Sequence, residues 1–191
     1  LHNFSAMAGF EETKWKQNNF DASANILSIE SVKWYNLALA SPNIGVGSSY
    51  ANGAMRSFFG RVNYNYASRY YVTGNFRADG SSKFRDGKKF GYFPSFSLAW
   101  KLSEEEFMKD QSIFSNIKIR GGWGETGNQA VGTYATYNTL GNRGNQWGTS
   151  STQAGYFARV GGNPNLKWET TKQMNVGLDL GFMDNRLNIT L

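Results

Sequence analysis

From Tyr92 to Leu102 the side chains alternate almost without error. Tyr92, Pro94, Phe96, Leu98, Trp100 and Leu102 fall on one face of an extended chain, and Phe93, Ser95, Ser97, Ala99 and Lys101 on the other. The preceding strand runs to about Asp79, and the Gly-, Ser- and charge-rich run from Gly80 to Phe90 reads as a loop that cannot be a buried element. Two details constrain the fold. The apolar face is aromatic at its ends and aliphatic in its middle, and the opposite face is small and polar rather than densely charged. Strands of about ten residues with that pattern suit a tilted crossing of a bilayer within a closed barrel.

The rest of the chain repeats the pattern. Leu1 to Glu12 reads as a first strand with Phe4, Ala6, Ala8 and Phe10 on one face. Thr13 to Met55 reads as a long polar loop, with a helical stretch around Ser28 to Ala40. Ser57–Tyr66 and a strand starting at Tyr70 form a tight hairpin, joined by Ala67, Ser68 and Arg69. After the Tyr92 strand, Ser103 and Glu106 match a capping box at a short helix start. Ile117 to Gly124 is a fifth strand, and Thr126 to Lys167 a second long loop. Met174 to Phe182 and Leu187 to Leu191 complete about seven antiparallel strands. The long connections are expected on the extracellular side and the short ones on the periplasmic side.

Charge placement tests these faces, which are chosen by apolar content alone. Glu11, Arg61, Arg77, Lys101, Lys118, Arg120 and Asp179 all fall on the polar face. An Arg or Lys on the lipid face at mid-bilayer would cost roughly 2–4 kcal/mol, so lipid exposure requires this segregation. A shift of one residue in any strand would undo it. Arg61, Arg77, Lys101, Lys118 and Arg120 are therefore expected to face a lumen, where they could favour an anionic solute, anchor an acidic plug, or form a cross-strand ion ladder. Tyr64, Tyr66, Tyr70, Trp100 and Phe182 gather near one membrane interface, with Phe10, Phe58, Tyr92 and Trp123 near the other. A soluble sandwich core would also align its aromatics, but its outer face should be richly charged.

Composition agrees. Aromatic residues reach 16% with 22 glycines, while charged residues stand at 18%, below the usual quarter. No run of eighteen apolar residues exists for a membrane helix. Without cysteine, a disulfide framework and a cysteine nucleophile are excluded. The net charge of +6 is not concentrated in any basic run, which argues against a nucleic-acid partner. No charged and apolar leader opens the chain, and both ends read as cut, so the sequence is expected to be a piece of a longer polypeptide. Seven strands cannot enclose a wide pore, and more wall is expected elsewhere.

Catalytic and cofactor motifs are scarce. His2 stands alone, which leaves no support for a histidine triad or metal site. Gly122-Trp123-Gly124-Glu125-Thr126-Gly127 matches G-x-G-x-x-G, yet no helical period follows and no acidic residue lies about twenty positions on. Those glycines read as a bend from strand to loop. Glu104, Glu105 and Glu106 read as a solvated helix start. No cofactor is called for, and no enzyme is recognised. Among loop aromatics, Trp34, Tyr35, Tyr134, Tyr137 and Trp147 are candidates for stacking on a substrate or packing on a partner.

Longer runs carry a resemblance: Gly60-Arg61-Val62-Asn63-Tyr64-Asn65-Tyr66, Arg77-Ala78-Asp79-Gly80-Ser81-Ser82-Lys83-Phe84, Gly91-Tyr92-Phe93-Pro94-Ser95, Thr126-Gly127-Asn128-Gln129 and Asn163-Pro164-Asn165-Leu166-Lys167-Trp168-Glu169-Thr170. In order and spacing they resemble the SusC/RagA family of TonB-dependent outer-membrane transporters. The resemblance implies a barrel of about 22 strands around a plug, found in Bacteroidetes and importing oligosaccharides or peptides with energy transmitted by TonB. It also implies a SusD-like surface lipoprotein over the extracellular loops. Residues 1–191 would be part of the barrel domain, without the plug, the TonB-contact segment or the signal peptide. A passive porin and a surface carbohydrate-binding β-domain are the competing readings.

Overall fold

The computed structural model describes residues 1–24, 30–37, 44–146 and 152–191. Among these described residues nine strands follow in chain order: β1 (His2–Ala24), β2 (Ile44–Tyr66), β3 (Tyr70–Ser81), β4 (Phe90–Lys101), β5 (Phe114–Asn128), β6 (Thr139–Gln146), β7 (Thr152–Val160), β8 (Glu169–Phe182) and β9 (Leu187–Thr190). Seven of them make one sheet in the order β1-β2-β3-β4-β5-β8-β9, and β6 pairs with β7 alone. The all-β, antiparallel architecture and the seven-stranded wall are those expected from the alternation.

Register explains why the pattern holds across strands. Tyr66 faces Tyr70 and Val62 faces Gly74; Gly74 faces Phe96 and Val72 faces Leu98; Phe96 faces Trp123, which faces Met174. Along the middle of the wall apolar residues therefore meet apolar residues or glycine, and the intervening rows are mainly polar, with Phe59 and Phe93 flanking Arg77. The wall is one residue thick. Met174 is 78% exposed and Phe96 51%, values that a water-soluble domain would avoid in so continuous an apolar surface.

Short turns close one end. Ala67 and Ser68 both take positive φ, as do Met183, Asp184 and Asn185, the left-handed backbone that matches tight hairpins to the twist of their strands. The single register shift in the β5–β8 pair falls between Phe114 and Asn116. It brings the Phe114 ring 5.0 Å from that of Phe182.

Several expectations are corrected. The stretch Thr13–Met55 is not one loop, because β1 continues to Ala24 and β2 begins at Ile44. Residues Lys14–Ala54 form a compact unit of their own. Within it Asn19 donates to Ser49 at 3.2 Å, and the Trp15 ring lies against Gly53. Polar side chains that satisfy one another across strands extend the pairing beyond the apolar pattern that marks a bilayer crossing. In place of the helix around Ser28–Ala40, the described part holds a 3-10 turn, Glu30–Tyr35, broken at Lys33 with φ 49; residues 25–29 and 38–43 lie outside the described residues.

The 126–167 segment likewise contains the β6–β7 hairpin. Its strands are rich in Gly, Asn and Gln, which hide a strand signal. The capping box at Ser103 does not form: two 3-10 turns, Leu102–Glu104 and Glu106–Met108, begin from Lys101 and Glu105 with no side-chain cap. Nor do the glycines after Trp123 bend the chain, because β5 runs on to Asn128. Gly127 instead leaves room for the Phe93 ring, which a Cβ there would strike.

Candidate functional site

The polar face is a lattice of cross-strand hydrogen bonds. Asn63 donates to Ser5 at 3.2 Å and accepts from Thr73 at 3.0 Å. One row along, the Arg61 guanidinium donates to Asn75 at 2.6 Å, and Asn75 to Ser95 at 3.1 Å. Alternation places all of these side chains on one face, and amides and hydroxyls reach across strands where long charged groups would repel.

Arg77 is the most heavily held cation. Its Nε donates to both Asp79 oxygens at 2.7 and 2.8 Å, and its terminal nitrogen to Ser57 Oγ at 3.0 Å. Glu11 lies 3.8 Å away, and the guanidinium sits 5.6 Å from the centre of the Phe59 ring. Asp79 and Ser57 are buried, at 7% and 0% exposure. Arg120 pairs with Asp179 at 3.2 Å and Lys101 with Glu104 at 2.8 Å. Lys118 lies 5.6 Å over the Tyr71 ring. Three of the five predicted cations thus join a carboxylate, and Arg61 and Lys118 meet an amide and an aromatic ring.

At the end away from the short turns, the connection after β3 is not the unburied loop expected from composition. Phe84 is fully buried, and with Phe93 and Trp168 it forms a core flanked by Met55, Val131 and Leu166. The lysines and arginine around it reach outward to neighbouring loops. Lys83 Nζ donates to the Gln129 carbonyl at 3.3 Å, Arg85 Nε to the Thr136 carbonyl at 3.0 Å, and Lys88 Nζ to Asn165 at 2.6 Å. Trp168 Nε1 donates to the Lys89 carbonyl at 2.8 Å. Hydrophobic residues isolated among charges carry no periodic signal, so alternation does not mark Phe84 or Trp168 as core.

The predicted loop aromatics separate. Tyr137 packs under Arg85, whose guanidinium carbon lies 4.7 Å from the ring centre. Tyr134 is half exposed at a positive φ of 67. Tyr35 is 71% exposed in the Glu30–Tyr35 turn, which also contains Trp34 in the separate Lys14–Ala54 unit. Trp147 lies outside the described residues.

Near the short turns, the apolar-face aromatics form a run: Tyr66 to Tyr70 at 6.3 Å and Tyr70 to Trp100 at 6.2 Å, both stacked. Tyr64 accepts or donates at 2.8 Å with His2. In the opposite direction along the strands, Phe10 meets Phe58 at 5.1 Å, Phe76 meets Tyr92 at 6.1 Å, and Phe96 meets Trp123 at 5.7 Å.

Glu105 departs from the expected solvated cluster. It is 8% exposed and accepts from the Tyr70 hydroxyl at 2.6 Å, Trp100 Nε1 at 3.0 Å and Arg69 at 3.1 Å. The Tyr70 hydrogen bond first, and then that of Trp100, hold its carboxyl below the usual glutamate range. Among the described residues no group of three or more His, Cys, Asp or Glu is placed to hold a metal ion.

Comparison with known proteins agrees with this geometry. Residues 3–191 match the family model described as TonB dependent receptor-like, beta-barrel. The chain is 35% identical to TonB-dependent receptor P3 of Formosa agariphila, covering 99% of this chain and 19% of that protein. It is also 35% identical to TonB-dependent receptor SusC of Bacteroides thetaiotaomicron, covering 97% and 18%. In three dimensions it superposes on a chain of the RagAB peptide transporter with a TM-score of 0.84 at 24% identity, over 99% of this chain and 21% of that one. The RagAB importer in its open-open state gives 0.82 at 26% identity, over 99% of this chain and 20% of that one. The chain spans about a fifth of the length of the curated relatives it matches.

Proposed function

This chain belongs to the TonB-dependent receptor-like β-barrel family, and we propose that it is a section of the wall of an outer-membrane importer of oligosaccharides or peptides. The observation that carries the reading is the division of the sheet into a face that is apolar between its aromatic rows, with the pairs Arg56–Glu12 and Lys172–Glu125 beyond its outer row, and a polar face holding Arg61, Arg77, Lys101, Lys118 and Arg120. Lipid on one side and a polar lumen on the other require that division. On this reading Tyr64, Tyr66, Tyr70, Trp100 and Phe182 meet one membrane interface, and Tyr92 and Trp123 lie toward the other.

The partners follow from the same reading. The TonB complex would supply energy through parts of the protein beyond this span. A SusD-like surface lipoprotein would sit over the long connections, where Trp34, Tyr35, Tyr134, Tyr137 and Trp147 are candidates for contact with it or with substrate. The wall itself has no chemistry to perform. Its polar lattice ties its own donors and acceptors together, giving a rigid surface past which a solute or a second domain can move.

The test is uptake by cells lacking the complete gene. Labelled oligosaccharides and peptides are supplied in turn, with TonB intact or inactivated. Loss of uptake of one class in both the gene deletion and the TonB-deficient strain is the expected result, and it names the substrate. Uptake that needs the gene but not TonB would leave a passive porin. Release of the protein from membranes without detergent would leave a surface binding domain.

A further inference from the structure

The connection between β4 and β5 is held from both faces of the wall, Glu104 by Lys101 and Glu105 by Tyr70 and Trp100 of the apolar face. Tyr70 and Trp100 occupy one apolar row, Tyr70 facing Trp100 and Trp100 facing Ile119. Both turn their single polar atom to the same oxygen, Glu105 Oε1. A carboxylate that takes the polar atoms of two apolar-face side chains is drawn toward that side of the strand ends. Glu105 therefore clasps the connection against the ring of aromatics rather than leaving it to hang beneath the strand ends.

The segment so clasped is amphipathic. Phe107 and Ile113 are each 66% exposed, large apolar groups left mostly uncovered. Most of the charges beside them are paired: Lys101 with Glu104 at 2.8 Å, Lys109 with Glu106 at 2.9 Å, and Arg69 with Glu105 at 3.1 Å and Glu106 at 3.6 Å. Asp110 is the exposed acid left over. Next to the clasp, a shallow apolar groove of about 320 Å³ runs along the wall past Val72, Leu98 and Gly121. Lys109 pairs within the segment, while Lys101 and Arg69 neutralise its glutamates from the adjoining strand end and turn, and ions so paired lose less on approaching a low-dielectric layer than free ones do. Exposed apolar groups flanking paired charges are the composition of a segment that lies in a membrane interface. A protein partner would be expected to meet unpaired charge or free backbone, and a lipid leaflet needs neither.

We propose that residues 102–113 form an interfacial foot, lying in the headgroup layer of the leaflet nearest the short turns with Phe107 and Ile113 in the upper acyl region and Glu105 setting its angle. The proposal rests on the wall reading, with lipid against the apolar face. It gives the Tyr70–Trp100 pair a second role, because their polar atoms bind the foot instead of water or headgroups. The aromatic ring and the connection then move as one body.

The test uses the complete protein in phospholipid vesicles. This sequence has no cysteine, so Phe107→Cys, Ile113→Cys, Lys109→Cys and Phe96→Cys each place one reporter thiol in it for an environment-sensitive fluorophore. Blue-shifted emission at 107 and 113, quenched by lipids brominated near the headgroup, with weaker quenching at 109, is the expected result. Phe96 should respond to lipids brominated deeper in the chains. Water-like emission at 107 and 113 while 96 stays in lipid would sink the foot and leave the wall reading standing. Water-like emission at 96 would sink both. Adding Glu105→Ala should shift position 107 toward water without moving 96, and an unchanged signal at 107 would remove Glu105 from the proposal.

Discussion

The ring centre of Phe84 lies 5.6 Å from that of Trp168, joining a turn after β3 to the segment that enters β8. Between them in sequence stand two strands of the wall and the whole β6–β7 hairpin. Phe93 completes the group from β4, edge-on to Trp168 at 5.4 Å. One small apolar core thus ties two connections to β4 at the end of the wall away from the short turns.

Replacing Phe84 with alanine should open that knot. Loss of a buried aromatic from a packed site costs roughly 3–5 kcal/mol. The loss should be local, because the strands keep their ladders. Hydrogen exchange should rise at the amides of Tyr137 and Asn163, which bond within this loop cluster, and stay unchanged in β3 and β4. Equal protection loss in the strands would show that the core supports the wall itself.

Arg77→Met tests the polar face. It leaves Asp79, 7% exposed, without the donor that meets both its oxygens. A buried acceptor stripped of a charged partner costs on the order of 2 kcal/mol, and partial exposure of the guanidinium limits the effect. The denaturant midpoint of the complete protein should fall. Arg77→Met combined with Asp79→Asn should recover part of the loss, and a double variant no better than the single one would argue against the pair.

The two faces predict opposite tolerance at adjacent positions. Phe96→Arg puts a charge in the middle of the apolar face and should cost roughly 2–4 kcal/mol on folding into lipid vesicles. Ser97→Arg, next in sequence but on the polar face, should cost far less. Similar losses at both positions would mean that the apolar face does not meet lipid.

Glu105 gives the fold a pH-dependent contribution with a defined sign. Its carboxyl titrates lower in the folded protein than in the unfolded chain, chiefly through the Tyr70 hydroxyl and next through Trp100, so the unfolded state binds the proton more tightly. That stabilisation is complete above the ordinary glutamate value of about 4.3. It is lost as pH falls through that value toward the lower folded one. In thermal unfolding, the original protein should exceed Glu105→Gln by a constant margin near neutral pH, and the two should converge in acid. A margin that stayed constant into strong acid would assign the effect to packing.

Much of the wall was legible because a one-residue-thick sheet between two unlike surroundings writes its faces into every second residue. Phe58, Val62, Phe96, Leu98 and Val176 all stand where alternation put them, and Arg61, Arg77, Lys101, Lys118, Arg120 and Asp179 stand on the opposite parity. What stayed hidden depends on contacts that have no period. Phe84 lies among Ser, Lys, Arg and Asp, and only the fold brings it to Trp168. Glu105 has two glutamate neighbours of the same composition, yet it alone meets Tyr70 and Trp100. The outer parts of β1 and β2 and the β6–β7 hairpin pair through polar and small side chains, which sequence reads as loop.

A wall of this thickness also limits how its gene can change. Register runs unbroken from the pairing of Met55 with Ser81 down to that of Tyr66 with Tyr70, and β4 continues it. Deleting one codon at the start of β3, with its turn held in place, would carry Arg77 and Asp79 to the opposite side and bring Phe76 and Val72 round in their place. Length changes inside the strands are therefore tolerable only two residues at a time, or beside an irregularity such as that between Phe114 and Asn116. Descendants of this sequence should vary freely in the length of their long connections while their strands keep the parity set here.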